Sequence, residues 1–230
     1  MTHTARTWPL TDLRPTLPPV RDQGNRGTCT AFAVTAAHEA RMLGADAALD
    51  RTFDLSEEML YWGCRQGQPR GGSGASLPMA QAALGRQGQP VEALWPYDGD
   101  RDEHSTLYVP PAAALDAQNC HRASLHPMPF STAAIADRLT EGRPVALGVR
   151  VGRLFAQAVD GRIPEDPDPS GTGGHAIVMV GYDELDRPQD GGMFVFRNSW
   201  GEEWGDLGHG YCSGGWLARS LVGSRVWYVS

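Results

Sequence analysis

Lysine is absent from the 230 residues, and all 20 of the Lys-plus-Arg positions are arginine. The chain therefore has no Schiff-base lysine and no anchor for pyridoxal phosphate. A phosphate-loop lysine, a kinase strand lysine and a Ser-Lys dyad are excluded with them. Positive charge is also outweighed: 20 arginines face 27 acidic residues, for a net charge of −7. Nucleic-acid surfaces need clustered positive charge to neutralise phosphates, so no nucleic-acid partner is expected. Cysteine is scarce. Cys29, Cys64, Cys120 and Cys212 are too few and too dispersed for a disulfide scaffold, and no CxxC pair suggests structural zinc. No apolar run approaches the ~18 residues of a membrane span, so no membrane partner is expected. Met1 to Leu10 lacks the apolar stretch of a secretory signal, which favours a cytoplasmic location. With 41% hydrophobic and 20% charged residues, the composition is that of an ordered globular chain.

Pro9, Pro15, Pro18 and Pro19 make the first 20 residues an extended lead-in. A turn-rich loop from Arg21 to Thr28 follows. Phe32, Ala33, Ala36, Ala37, Ala40 and Leu43 then recur at helical spacing, with Thr28 as N-cap and Gly44 as stop. Cys29 falls in the first turn of that helix. The run Asp54-Leu55-Ser56-Glu57 reads as a capping box opening a short helix through Trp62. Further helices are predicted over Leu77 to Arg86 and Thr132 to Leu139, and residues 95–130 read as irregular. Strands are predicted at Val145–Val151, His175–Tyr182, Met193–Asn198 and Val226–Val229. Helices early and strands late indicate an α+β fold of two lobes.

Two motif matches fail on context. Gly171-Thr-Gly173-Gly-His-Ala176 fits G-x-G-x-x-A, but a Pro/Asp loop precedes it and a strand follows, the reverse of a dinucleotide site. Gly71-Gly-Ser73-Gly lacks the last glycine of a nucleophile elbow. His3, His38, His104, His121, His126 and His209 show no HExxH spacing and are expected at the surface or in local hydrogen bonds. One set survives in chain order. Gln23 stands six residues before Cys29, His175 opens a strand, and Asn198 sits in Arg-Asn-Ser-Trp-Gly. The Cys-to-His separation is 175 − 29 = 146, within the ~130–150 of one cysteine-hydrolase architecture.

These stretches, with Leu-Ser-Glu-Glu and Trp-Pro-Tyr-Asp-Gly between them, make the chain resemble a papain-family cysteine peptidase of the compact bacterial branch, from Trp8 to the C-terminus. The resemblance implies a two-lobed fold with a helical lobe at about 20–108, a β-rich, barrel-like lobe at about 1–19 and 109–230, and a cleft between them. It implies hydrolysis of a peptide or protein substrate with no metal or organic cofactor. Cys29 would be the nucleophile and His175 its imidazolium partner. Asn198 would orient the imidazole, and Gln23 would complete the oxyanion hole. Gly74, Ala75, Gly174 and Trp200 would contact substrate or shield the His–Asn bond. An acyltransferase with the same triad is the alternative, and an inactive peptide-binding homologue is the weakest reading.

The departures from the family pattern are Arg26 in place of a disulfide cysteine, Thr30 in place of an aromatic, and Ala75 in place of a glycine. A pairing of Cys64 with Cys120 stays open. With the mature pattern starting near Trp8, control is expected from expression, from a partner such as a protein inhibitor or regulator, or from release out of a longer product, rather than from a conventional pro-region.

Overall fold

Alanines and small β-branched residues in its first turns suit α1 (Cys29–Ala45) to close packing, and its residues from Thr30 to Glu39 are all buried. The helix runs one residue beyond Gly44. Thr28 holds the N-cap position but does not cap, because its hydroxyl pairs with Tyr97 Oη at 2.8 Å. The computed structural model describes residues 11–69, 71–165, 173–186 and 188–230. The lead-in before Thr11, including His3, Trp8 and Pro9, and the loop residue Gly171 lie outside them.

Two further helices pack with α1. Ser56 caps α2 (Glu57–Arg65) through its side chain, accepting from the Met59 N–H at 3.1 Å. The cap is thus Ser56 rather than Asp54, and the helix continues three residues past Trp62. The third helix, α3 (Leu77–Arg86), has the bounds read from its periodicity. Ala114, on the short α4 (Ala112–Leu115), packs with Met59 and Trp95, so the helical layer extends beyond residue 108.

The strands form one antiparallel sheet. Its members are β1 (Thr11–Asp12), β2 (Leu125–Pro129), β3 (Val145–Val151), β4 (Gly173–Asp183), β5 (Met193–Arg197), β6 (His209–Ser213) and β7 (Arg225–Val229). The order is β2-β7-β3-β4-β5-β6, with β1 paired to β4. Strand β2 falls within residues 95–130, which the sequence pattern predicts to be irregular. It contains Pro127 and Pro129, which an edge position tolerates because, among the described strands, β2 pairs with β7 alone. Short helices α5 (Thr132–Thr140), α6 (Arg153–Ala156) and α7 (Gly214–Ser220) complete the lobe.

Alternation along β4 feeds two cores. Ala176, Val178 and Val180 face α1, and Ile177 and Met179 face a second cluster with Phe155, Phe196 and Trp216. None of the described helices is long and apolar enough to cross a membrane. All four cysteines are free, so Cys64 and Cys120 do not pair. Cys212 is a buried member of the second core.

His38 departs from the surface placement expected of it. It is fully buried on α1, with Nδ1 2.9 Å from Gln89 Oε1, and burial pushes its pKa down to about 4. An unfolded histidine binds its proton near ~6.5, so stability present above that pH is lost as the pH falls through about 4. We expect His38→Gln to remove about 3 kcal/mol of the stability difference between pH 7 and pH 4. Urea denaturation at both pH values measures it, and an unchanged difference would count against His38 as the titrating group.

Candidate active site

The segment before α1 is tied down from several sides. Arg21 is ion-paired with buried Glu39 at 2.6 Å and Glu57 at 2.9 Å, and with Asp54. Burial pushes the Glu57 carboxyl up, and the Arg21 guanidinium pulls it back down. Arg197, at the end of β5, donates to the carbonyl of Pro19 at 2.7 Å and to that of Pro18. Pro18 and Pro19 are thereby docked against the sheet, and Gln23 arrives beside Ser199. The Gln23 N–H donates to the Ser199 carbonyl at 2.8 Å, and the Ser199 hydroxyl donates to Gln23 Oε1 at 2.5 Å. Gln23 Nε2 spends one N–H on the Arg26 carbonyl at 2.7 Å. An amide nitrogen carries two donors, so one remains.

Arg26 fills the place where the family pattern has a disulfide cysteine. Its guanidinium meets buried Glu58 in a two-bond fork, at 2.8 and 2.9 Å, and donates to the Asp98 carbonyl at 2.8 Å. The rings of Tyr61, Tyr97 and Tyr108 surround it at 5.2–5.9 Å. Gly27 follows because a Cβ there would stand 2.9 Å from the Gly74 backbone nitrogen.

Cys29 opens α1, where unpaired backbone N–H groups and the helix dipole favour negative charge. The Ala176 backbone N–H pulls the pKa of the Cys29 thiol down, against its burial. Cys29 and His175 thus line one cavity of about 420 Å³ between α1 and β4. His175 is buried at 6% exposure, and its Nε2 is 2.7 Å from Asn198 Oδ1. The same oxygen accepts from the Ser199 N–H at 2.9 Å, which fixes the carboxamide with oxygen toward the ring. Nε2 is therefore the protonated nitrogen, and Nδ1 is left with its lone pair. Burial pushes the Cys29 thiol up. Burial also pushes His175 down to about 4, against the opposing hydrogen bond from Asn198.

The Trp200 ring lies 4.8 Å from that of His175, and Phe155 closes in edge-on at 5.8 Å. Trp204 stacks on Phe155 at 5.3 Å. This aromatic box covers the His175–Asn198 bond and keeps water from competing for it. Trp200 is outside the cavity lining, whereas Gly174 and Ala75 are part of it. Of the Gly74–Ala75 pair, Ala75 lines the cavity together with Ser76, and Gly74 does not. Gly74 is turned inward, its N–H donating to Tyr61 Oη at 3.1 Å and its carbonyl accepting from Arg65 at 3.2 Å. Thr30 ties α1 to the segment entering α3, both on the helical side of the cavity, by donating to the Ala75 carbonyl at 2.8 Å.

Ser199, Phe155 and Arg197 were not singled out from the sequence. Ser199 stood inside Asn-Ser-Trp, but its partner is 176 residues away and no local spacing connects them. Phe155 had no signal beyond being one apolar residue among several, with Leu154, Ala156, Ala158 and Val159 around it.

The family model described as papain family cysteine protease matches residues 8–219. Mouse cathepsin J (Mus musculus) is 28% identical over 204 residues, covering 83% of this chain and 55% of that protein. Peptidase 1 of the mite Dermatophagoides farinae is 29% identical over 213 residues, covering 87% and 58%. The chain thus spans little more than half the length of these relatives. Among solved structures, xylellain, a cysteine protease from Xylella fastidiosa, superposes with a TM-score of 0.77 at 26% identity, over 95% of this chain and 84% of that one. The sequence match and the shared fold lead to one assignment: the chain belongs to the papain family of cysteine proteases.

Proposed function

We propose that the chain hydrolyses peptide bonds through an acyl-enzyme formed on Cys29. The observation carrying this reading is one cavity lined by a thiol at a helix N-terminus and by an imidazole whose far nitrogen is held by Asn198. Burial alone disfavours both charges. Each charge becomes tenable when the other is beside it, so proton transfer from Sγ to His175 Nδ1 makes a pair that neutralises itself. The α1 dipole and the Ala176 N–H favour the thiolate side of that transfer.

The thiolate attacks the carbonyl carbon, and the carbonyl electron pair moves onto oxygen. The Cys29 N–H and the free N–H of Gln23 receive that oxyanion, and one such donor contributes ~10²–10³ in rate. His175 then gives its proton to the leaving amine as the C–N bond breaks. A water molecule, deprotonated by His175, releases the acid and restores the thiol. Ser199 acts through Gln23 by holding its oxygen, which aims the amide nitrogen.

Labelling with a thiol-directed epoxysuccinyl probe, followed by peptide mapping, tests the reading. A single adduct on Cys29 with complete loss of peptide cleavage is expected. An adduct elsewhere with activity lost, or cleavage surviving full Cys29 modification, would overturn it.

A further inference from the structure

We propose that the cavity beside Cys29 selects an acidic side chain of the substrate, with Arg225 as the residue that recognises it. The inference rests on the peptidase reading and names its substrate class. The cavity opens at Cys29 and His175 and runs away from them between Leu77 on the helical side and Val222 and Trp227 on the other. These walls are apolar and suit the methylene stem of a side chain. Apart from Cys29 and His175, Arg225 is the one ionisable group among the described lining residues.

Alternation aims Arg225 at the cavity. On β7, Trp227 and Val229 belong to the core that faces α1, whereas Val226 belongs to the opposite core. Arg225 shares the face of Trp227 and stands exposed at the mouth. Among the described residues no carboxylate pairs with it. A second arginine, Arg150, stands on the same side of the sheet. It is two residues beyond the cavity-lining Gly148 and opposite Gly174 in the β3–β4 register.

In a chain with net charge −7, the approach to the nucleophile is therefore cationic while the surface as a whole is anionic. An incoming carboxylate would supply the partner that Arg225 lacks, and a guanidinium matches it in a two-bond fork. An arginine or lysine side chain in the same cavity would meet like charge. Glutamate, with an apolar stem and a terminal carboxylate, fits both features better than its neutral isostere glutamine.

Paired peptides differing only by Glu or Gln, scanned through each position around the cleaved bond, test this. At one fixed position the wild type should prefer Glu by about tenfold or more in kcat/KM. That ratio should shrink as sodium chloride is raised, because the mouth is exposed. Arg225→Gln should bring the ratio to near unity, and Arg225→Glu should turn the preference toward arginine peptides. The ratio is taken within each variant, so an overall loss of activity leaves it readable. A wild type indifferent to Glu and Gln at every position would overturn the inference and leave the peptidase reading intact. So would a ratio that persists in Arg225→Gln and falls only in Arg150→Gln. Failure of the folded wild type to cleave any peptide would overturn both readings.

Discussion

Replacing His175 by alanine is expected to lower kcat/KM for peptide cleavage by about three to four orders of magnitude. The loss has two sources. The leaving amine no longer has a proton donor, and the thiol no longer has a counter-ion. The second can be read alone through alkylation by iodoacetamide, which reports thiolate and needs no leaving-group proton. In His175→Ala, Cys29 keeps the burial that pushes its pKa up and has no imidazolium to offset it. Alkylation should therefore be nearly absent at pH 6 and rise only under strongly alkaline conditions. The wild type should alkylate readily at pH 6. Superimposable alkylation profiles would dismiss His175 as the partner of Cys29. Adding Cys29→Ala to His175→Ala should cost little more than either change alone, because the two residues act as a unit.

The second large effect is on stability. Arg26→Met should lower the unfolding free energy by about 3–5 kcal/mol, measured by urea denaturation at fixed pH. Glu58 is fully buried and takes both of its principal cationic bonds from Arg26. What remains near it is the Tyr108 hydroxyl at 2.6 Å, the Asp98 N–H at 3.3 Å and the more exposed Arg101 at 3.4 Å. A carboxylate left in that setting is the cost, not the bond itself. Arg26→Met combined with Glu58→Leu should therefore recover most of the loss. Arg26→Lys should rescue poorly, since an ammonium cannot make the fork. Equal losses in the single and double variants would show that packing of the three tyrosines, rather than the buried charge, is what Arg26 supplies. Gln23 also leans on the Arg26 carbonyl, so the single variant should lose activity at temperatures where it is still folded.

What could be read from the sequence follows the range of the interactions concerned. The bounds of α3 and β3 came directly from periodicity, because both elements show a regular apolar pattern over their whole length. Strand β2 was hidden by its own Pro127 and Pro129, whose tolerance depends on an edge position that topology alone reveals. Helix α7 starts at two glycines, a poor helical signal, and is held by Ser213 capping the Trp216 N–H at 2.9 Å. At the site, Gln23, Cys29, His175 and Asn198 were legible because each sits in a motif. The groups that hold them were not. Ser199 reaches Gln23 across 176 residues, and Arg26 was visible only as a missing cysteine, with nothing local to pair it with Glu58. His38 looked ordinary until the fold enclosed it. The bonds that tie Gly74 to Tyr61 and Arg65 beside the cleft were equally illegible, because only the folded chain brings those partners together.

The sheet order has an evolutionary consequence. His175 rides on β4, an interior strand bonded to β3 and β5, and Cys29 rides on the helix packed against its face. Drift in either element disturbs the main core. The far wall of the cavity comes instead from residues 222–225, a turn entering β7 in which Val222 and Arg225 are exposed. Substitutions there change which side chain is accepted while leaving the thiol and imidazole where they are. Diversification of substrate preference among descendants of this chain should accumulate at 222–225 first, and a directed library confined to those four positions is the shortest route to new selectivity.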